Sequence, residues 1–230
     1  MSEPLLFLAA DPREFTGLLP HWTSVAPKHL AVHWARTAMW RGRPVMAIAN
    51  GAGEHRAFAA GLLAHEVSGI CNIGFCGALD YDLRIGDVVV ATGVQDGDEL
   101  HTAQDPHGPA AHQKGMVACI DHIAATSAEK RDLKRKGGLV VEMESAGAAK
   151  AAQDLNVPFY CVRAVSDLAD EDFANDFNAA LGTDGRFSVF RLVTGALASP
   201  SKRFRELTEL QKRTALAAKK LGDFLADCKF

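Results

Sequence analysis

The sequence lacks an apolar run approaching the ~18 residues a membrane-spanning helix requires, so a soluble protein is expected. Its start, Met1-Ser2-Glu3-Pro4, lacks the basic n-region and small-residue cleavage site of a secretory signal, and a cytoplasmic location is expected. Cysteine is scarce. Cys71, Cys76, Cys119, Cys161 and Cys228 are odd in number, lie mostly in apolar runs and show no Cys-x-x-Cys spacing, which points to buried, reduced thiols rather than metal ligands. Positive charge is not in surplus: 25 Lys and Arg face 28 Asp and Glu, a net charge of -3. That balance argues against nucleic acid as the main partner, because phosphate binding normally needs a large basic surface. Internal repeats and low-complexity tracts are also missing.

What is present is an ordinary globular composition, 48% hydrophobic and 23% charged over 230 residues. This length suits a single domain spanning 1–230. Strand-like runs at Leu5 to Ala9, Leu30 to Met39, Val45 to Ala49, Ile70 to Ile73, Asp87 to Thr92, Leu139 to Val141 and Pro158 to Val165 alternate with helix-like stretches at Glu54 to Glu66 and Glu142 to Asp154. Alternation of this kind predicts an α/β fold, and near-continuous apolar strands predict a sheet covered on both faces. Gln95 to Gln113, rich in Asp, Gly, His and Pro, reads as a loop or lid. His101, His107, His112 and Asp105 lie within it, but their spacing matches no usual metal-ligand pattern.

From about 201 to 228 the chain predicts an amphipathic helix whose apolar face is Phe204, Leu207, Leu210, Ala217, Leu221 and Phe224. Between Lys202 and Lys220 seven basic residues outnumber two acidic ones. A run like this is either a solvated helix face or a contact with an anionic membrane surface.

Carboxylates stand where strands end. In Val140-Val141-Glu142-Met143-Glu144-Ser145-Ala146 a strand runs into a helix, putting Glu142 and Glu144 at or near its first turn. In Cys161-Val162-Arg163-Ala164-Val165-Ser166-Asp167-Leu168-Ala169-Asp170 an apolar strand ends on Ser166 and Asp167, at the carboxyl edge where ligands of open α/β sheets collect. Both patterns are equally those of helix N-capping.

Together these two segments resemble the signature of the purine and uridine phosphorylase superfamily, which includes methylthioadenosine/S-adenosylhomocysteine nucleosidase. A third block is also similar to that family's glycine-rich loop and next strand: Asn72-Ile73-Gly74-Phe75-Cys76-Gly77-Ala78-Leu79 followed by Leu83 to Val90. The resemblance covers nearly the whole chain. It implies a three-layer α/β/α sandwich with a central mixed twisted sheet, no organic cofactor or metal, and cleavage of an N-glycosidic bond. Such a reaction places positive charge on the ribose and negative charge on the departing purine, so it needs a group to hold the sugar and an acid to protonate the base. By resemblance Met143 and Glu144 hold the ribose, and Asp167 is the acid. Phe75, Cys76, Gly77 and Ser166 line the base and sugar, with Phe75 standing where the family commonly has a small polar residue. Phe177, ten positions after Asp167, either packs on the base or belongs to the core.

The nucleophile is read in two ways from Ala9-Ala10-Asp11-Pro12-Arg13-Glu14-Phe15. Aligned with the nucleosidases, Glu14 is the base that activates water. Aligned with the phosphorylases, Asp11-Pro12 resembles their phosphate turn, and Arg13 lies one position from their phosphate-binding Arg; inorganic phosphate would then be a co-substrate. A second phosphate-binding Arg of those enzymes corresponds to Asn72 here, and its loss favours water. Asn50-Gly51-Ala52-Gly53 either offers backbone amides to the nucleophile or an anion, or is only a tight strand-to-helix turn; His55 just beyond reads as an exposed helix residue.

Within the superfamily, Asp184-Gly185-Arg186 followed by an apolar helix to Leu197, Pro200, the basic terminal helix and the short 95–138 region with Ser127-Ala128-Glu129-Lys130-Arg131 resemble the hopanoid-associated subgroup, which removes adenine from adenosylhopane. The partner expected is thus a purine nucleoside, lipid-linked in that reading, with peripheral contact at the inner membrane surface through the basic helix. The resemblance also implies a homo-oligomer, at least a dimer. A nucleoside-binding module without turnover is the alternative of another class, and the presence of Asp167 argues against it.

Overall fold

A computed structural model describes residues 3–108, 110–188 and 200–230. In chain order the strands are β1 (Leu5–Ala9), β2 (Thr23–Pro27), β3 (Trp34–Trp40), β4 (Arg43–Ala49), β5 (Gly69–Ala78), β6 (Val88–Asp96), β7 (Glu99–Thr102), β8 (Gln113–Cys119), β9 (Gly138–Glu142) and β10 (Phe159–Asp167). The helices are α1 (Glu54–Leu63), α2 (Ser127–Arg135), α3 (Ser145–Asp154), α4 (Phe177–Ala180) and α5 (Pro200–Asp227). All ten strands belong to one mixed sheet. β5 runs parallel to β1 on one side and to β10 on the other. From β10 the pairing passes to β6, β8 and β9, and β9 returns to the end of β5, so these five strands close into a ring. β1, β4, β3 and β2 extend from it as an open wing.

The period-two alternation of β1 shows how the layers form. Leu6 and Leu8 pack with Ala57 and Ala60 of α1 and Ala148 and Ala151 of α3, while Leu5, Phe7 and Ala9 pack with Ala217, Leu221, Phe224 and Leu225 of α5. Helices thus cover both faces of a mixed sheet, as expected. Small residues on α1 and α3 let the two helices lie close: a Cβ on Gly61 would sit 2.5 Å from the Ala151 side chain.

Several elements differ from their expected bounds. The run from Leu30 to Met39 is a strand only from Trp34, and an edge strand, β2, precedes it. β2 is exposed throughout and, among the described residues, pairs only with β3, so it carries no apolar alternation to read. Gln95 to Gln113 is not a plain loop: β6 runs on to Asp96, β7 folds back on it as a hairpin, and His107 bridges to Lys229. In this hairpin Asp96, Glu99 and His101 lie close together, and the Lys150 ammonium occupies the cluster, 2.9 Å from Asp96 and 3.1 Å from Glu99. β8 and α2 also form where no element was expected. α3 begins at Ser145 rather than Glu142, because β9 continues to Glu142. Within α5, Ala217, Leu221 and Phe224 are buried, but Phe204 is 42% exposed, since the first half of the helix overhangs the sheet. Among the described residues no helix is long and apolar enough to cross a membrane, and all five cysteines are buried and unpaired. The expected apolar helix up to Leu197 lies outside the described residues.

Candidate active site

A cavity of about 730 Å³ opens where the chain leaves β1, β9 and β10 and where β5 ends. Its lining includes Glu14, Phe75, Cys76, Gly77, Met143, Glu144, Ser166, Asp167 and Phe177, so the three sequence blocks meet on one concave surface.

Asp167 is the last residue of β10 and caps no helix; α4 is capped by Asp176 instead. Its Oδ2 accepts a hydrogen bond from Lys130 Nζ at 2.6 Å, and its Oδ1 lies 3.0 Å from Ser166 Oγ. Approach of this carboxylate to β5 requires Gly77, where a Cβ would stand 2.7 Å from Oδ2.

Glu14 sits in a single 3-10 turn, Pro12–Phe15, with Pro12 fixing φ at its start and Asp11 as N-cap. The Glu14 carboxylate is held entirely by backbone amides: Oε2 accepts from Ala10 N and Asp11 N, each at 2.9 Å, and Oε1 accepts from Phe75 N at 2.8 Å. Burial pushes this carboxyl above its ordinary range, although those amides and the charge of Arg163 oppose the shift. A Cβ on Gly74 would lie 2.5 Å from both Glu14 Oε1 and Arg163 Nη1, so glycine is what lets the two side chains converge there.

Arg163, in the middle of β10, is only 1% exposed. Its Nη2 donates to Glu142 and to the Asn72 side chain. Burial works against the guanidinium charge, but the surrounding negative groups, Glu142 foremost, outweigh it. A cation therefore does reach Asn72, from β10 rather than from β5. Its signal in the sequence was a lone charge inside an unbroken apolar strand, which has to find a partner when buried.

The two acids after β9 divide their tasks. Glu142 caps α3, accepting from Glu144 N at 2.9 Å and Ser145 N at 3.0 Å, besides neutralising Arg163. Glu144 occupies the N-cap position without a capping bond of its own, and its Oε1 accepts from Gly53 N at 3.0 Å. Burial, then the negative charge of Glu142, pushes the Glu144 carboxyl up to about 8. The turn after β4 uses its amides within the protein: Gly51 N donates to Ala10 O at 2.8 Å and Ala52 N to Gly185 O at 2.8 Å. With Gly53 committed to Glu144, this turn positions a carboxylate and presents none of these three amides to an anion. Arg13 folds back as a fork on Asp11, its Nε and Nη2 each 2.9 Å from a carboxylate oxygen.

Phe177 packs edge-on against Phe173 at 5.0 Å and borders the cavity, so it serves both the core and the cavity wall. Other lining residues were not anticipated: Phe173, Phe187, His33 and the α5 residues Leu207, Leu210 and Thr214. Burial, then the charges of Arg186 and Arg56, holds the His33 imidazole below its ordinary range. Lys130 was also missed, since nothing marks one buried lysine within a helix that is charged throughout.

The model of the phosphorylase superfamily matches residues 4–110 and 98–227. The chain belongs to this superfamily. The 5'-methylthioadenosine/S-adenosylhomocysteine nucleosidase of Staphylococcus aureus (strain JH9) is 29% identical over 177 residues, which are 63% of this phosphorylase-superfamily chain and 78% of that protein. In fold, the chain is similar to the same nucleosidase from Streptococcus pneumoniae with the transition-state inhibitor MT-ImmA, with a TM-score of 0.71 at 19% identity over 97% of this chain and 99% of that one. The native futalosine hydrolase of Helicobacter pylori strain 26695 gives 0.69 at 18% identity over 98% of both chains.

Proposed function

We propose that this superfamily member is an enzyme that cleaves the N-glycosidic bond of an adenine nucleoside by hydrolysis. The observation that carries the reading is the pair of buried carboxyls, Glu14 in the 3-10 turn after β1 and Asp167 at the end of β10, that line one cavity. In the reaction the C1′–N9 bond breaks with its electron pair going to the base, and N7 takes the proton of Asp167. Glu14 removes a proton from water as the water oxygen bonds to C1′. Glu144 accepts hydrogen bonds from the ribose hydroxyls beside Met143, while Phe75, Cys76, Gly77, Ser166 and Phe177 border the base and sugar. Burial raises the proton affinity of Glu14, the direction that makes a carboxylate a stronger base.

Water is favoured over phosphate on charge. Arg13 is paired with Asp11, and Arg163 with Glu142. Arg186 also borders the cavity, but it is exposed and donates to His33 at 3.1 Å, while the buried Glu14 carboxylate, as the ionised base, repels a dianion.

For the nucleoside, the reading is adenosylhopane, cleaved in hopanoid biosynthesis. Its support, beyond the resemblance, is the apolar wall that Phe187, Leu207, Leu210 and Ala215 add to the cavity. The test is product analysis with methylthioadenosine, adenosine, inosine and adenosylhopane, with and without phosphate. Adenine release at full rate in phosphate-free buffer is expected, fastest from adenosylhopane. Strict dependence on phosphate, with a ribose 1-phosphate product, would overturn hydrolysis. Preference for methylthioadenosine would instead assign the activity named for the S. aureus relative.

A further inference from the structure

We infer that Lys130 is the positioning residue of Asp167: it fixes the carboxyl with one oxygen held and the other left to the cavity, and it balances the negative charge that appears when the proton passes to the base. The inference rests on the proposed role of Asp167 as the acid.

Four observations lead to it. First, Lys130 is 1% exposed and is the one buried residue of α2, whose other side chains are at least partly in water. A lysine is among the residues least often fully buried, and an apolar side chain would fill the same volume without desolvating a charge. Packing alone therefore does not explain it.

Second, its ammonium is placed against three acceptors: Asp167 Oδ2 at 2.6 Å, Leu168 O at 2.6 Å and the face of the Phe173 ring, 5.3 Å from its centroid. Three donors meet three partners, so the group is fully satisfied only in this position.

Third, Asp167 Oδ2 is confined between Lys130 and the bare backbone of Gly77. The carboxyl plane cannot turn without breaking the Lys130 hydrogen bond to Oδ2, and Oδ1, beside Ser166 Oγ, is the oxygen left to carry the proton to a substrate. The Ser166 hydroxyl has a single proton for either Oδ1 at 3.0 Å or Cys76 O at 3.2 Å, so Oδ1 can release it without leaving the serine unpaired.

Fourth, Lys130 does not line the cavity. It reaches the reaction only through Asp167. When the proton moves from Asp167 to the base, a carboxylate forms with water largely excluded, and a fixed ammonium in contact with it stabilises that product more than mobile solvent would.

The experiment uses the full chain with Lys130→Met, Lys130→Gln, Asp167→Asn and the Met/Asn double variant, checked for folding by circular dichroism. Two probes are compared: methylthioadenosine, and 4-nitrophenyl ribofuranoside, whose leaving group needs no proton. With methylthioadenosine, kcat of K130M and K130Q is expected to fall roughly ten- to a hundredfold with KM nearly unchanged, within the range a general acid contributes. The nitrophenyl riboside should be cleaved at the wild-type rate, and K130M should add no loss to D167N. Wild-type kcat in the lysine variants, equal losses on both probes, or a full further loss in the double variant would each overturn the inference. Should K130M fail to fold, Lys130→Arg against K130Q decides: activity restored by the retained charge supports it, and no difference overturns it. A wild-type protein that releases adenine from neither methylthioadenosine, adenosine nor adenosylhopane defeats the proposed function itself, whereas an active wild type with unaffected lysine variants, assayed on whichever of these it cleaves, defeats only the role of Lys130.

Discussion

Glu144 ionises in the ordinary carboxylate range when the chain is unfolded, but burial and Glu142 hold it protonated up to about 8 in the folded protein. Between those limits unfolding releases a proton, so folding stability falls as pH rises through the window. Glu144→Gln has no proton to lose and keeps an oxygen for Gly53 N. The melting temperature of E144Q minus that of wild type should therefore grow from about pH 5 to about pH 8, measured by thermal denaturation without substrate. A constant difference would show that Glu144 is already ionised in the fold. At this scale the sequence revealed which acids stand at strand ends, because strand and helix patterns locate ends. It left open which acid caps and which faces the cavity. The pair Glu142 and Glu144 has one composition and two functions, and Arg163 separates them by binding Glu142 from a strand 21 residues further on.

Among the elements, α5 and the segment after β10 form the cavity wall together. Glu206 of α5 accepts from Ala174 N at 2.7 Å, Asn175 N at 2.8 Å and Asn175 Nδ2 at 2.5 Å. Arg213 adds an ion pair to Glu171 at 2.7 Å. Glu206→Ala frees the segment that carries Phe173 while leaving Glu14, Glu144 and Asp167 in place. It should raise KM with little change in kcat, and cost about 1–3 kcal/mol of stability in urea denaturation, since it leaves buried donors unpaired. A fall in kcat at constant KM would mean that the segment holds the acid rather than the base. The elements most visible in sequence were β1, β4, β5, β9 and β10, whose apolar runs are buried on both faces. β2 and α2 were invisible for the opposite reason: one is an exposed edge, and the other buries only the charged Lys130.

On the scale of the whole molecule, the basic terminal helix is part of the core. Leu221 is fully buried between α5 and the strands carrying Phe7 and Val162. Leu221→Ala should cost about 2–5 kcal/mol in denaturant unfolding, as a large-to-small change in a packed core does. A loss well below that would mean that α5 is only loosely docked. Lys212 and Lys220 remain exposed on the same helix, so its charge and its packing lie on different faces. The α/β class, the covering of both sheet faces, the buried thiols and the gathering of acids at strand ends followed from the sequence alone, because they depend on periodicity and on where apolar runs stop. The closure of β5, β10, β6, β8 and β9 into a ring, the pairing of Arg163 with Glu142 and the docking of Lys130 on Asp167 were decided only by the tertiary structure. A buried charge is stabilised by whichever partner the fold brings within bonding distance, and that distance in space is not written in the distance along the chain.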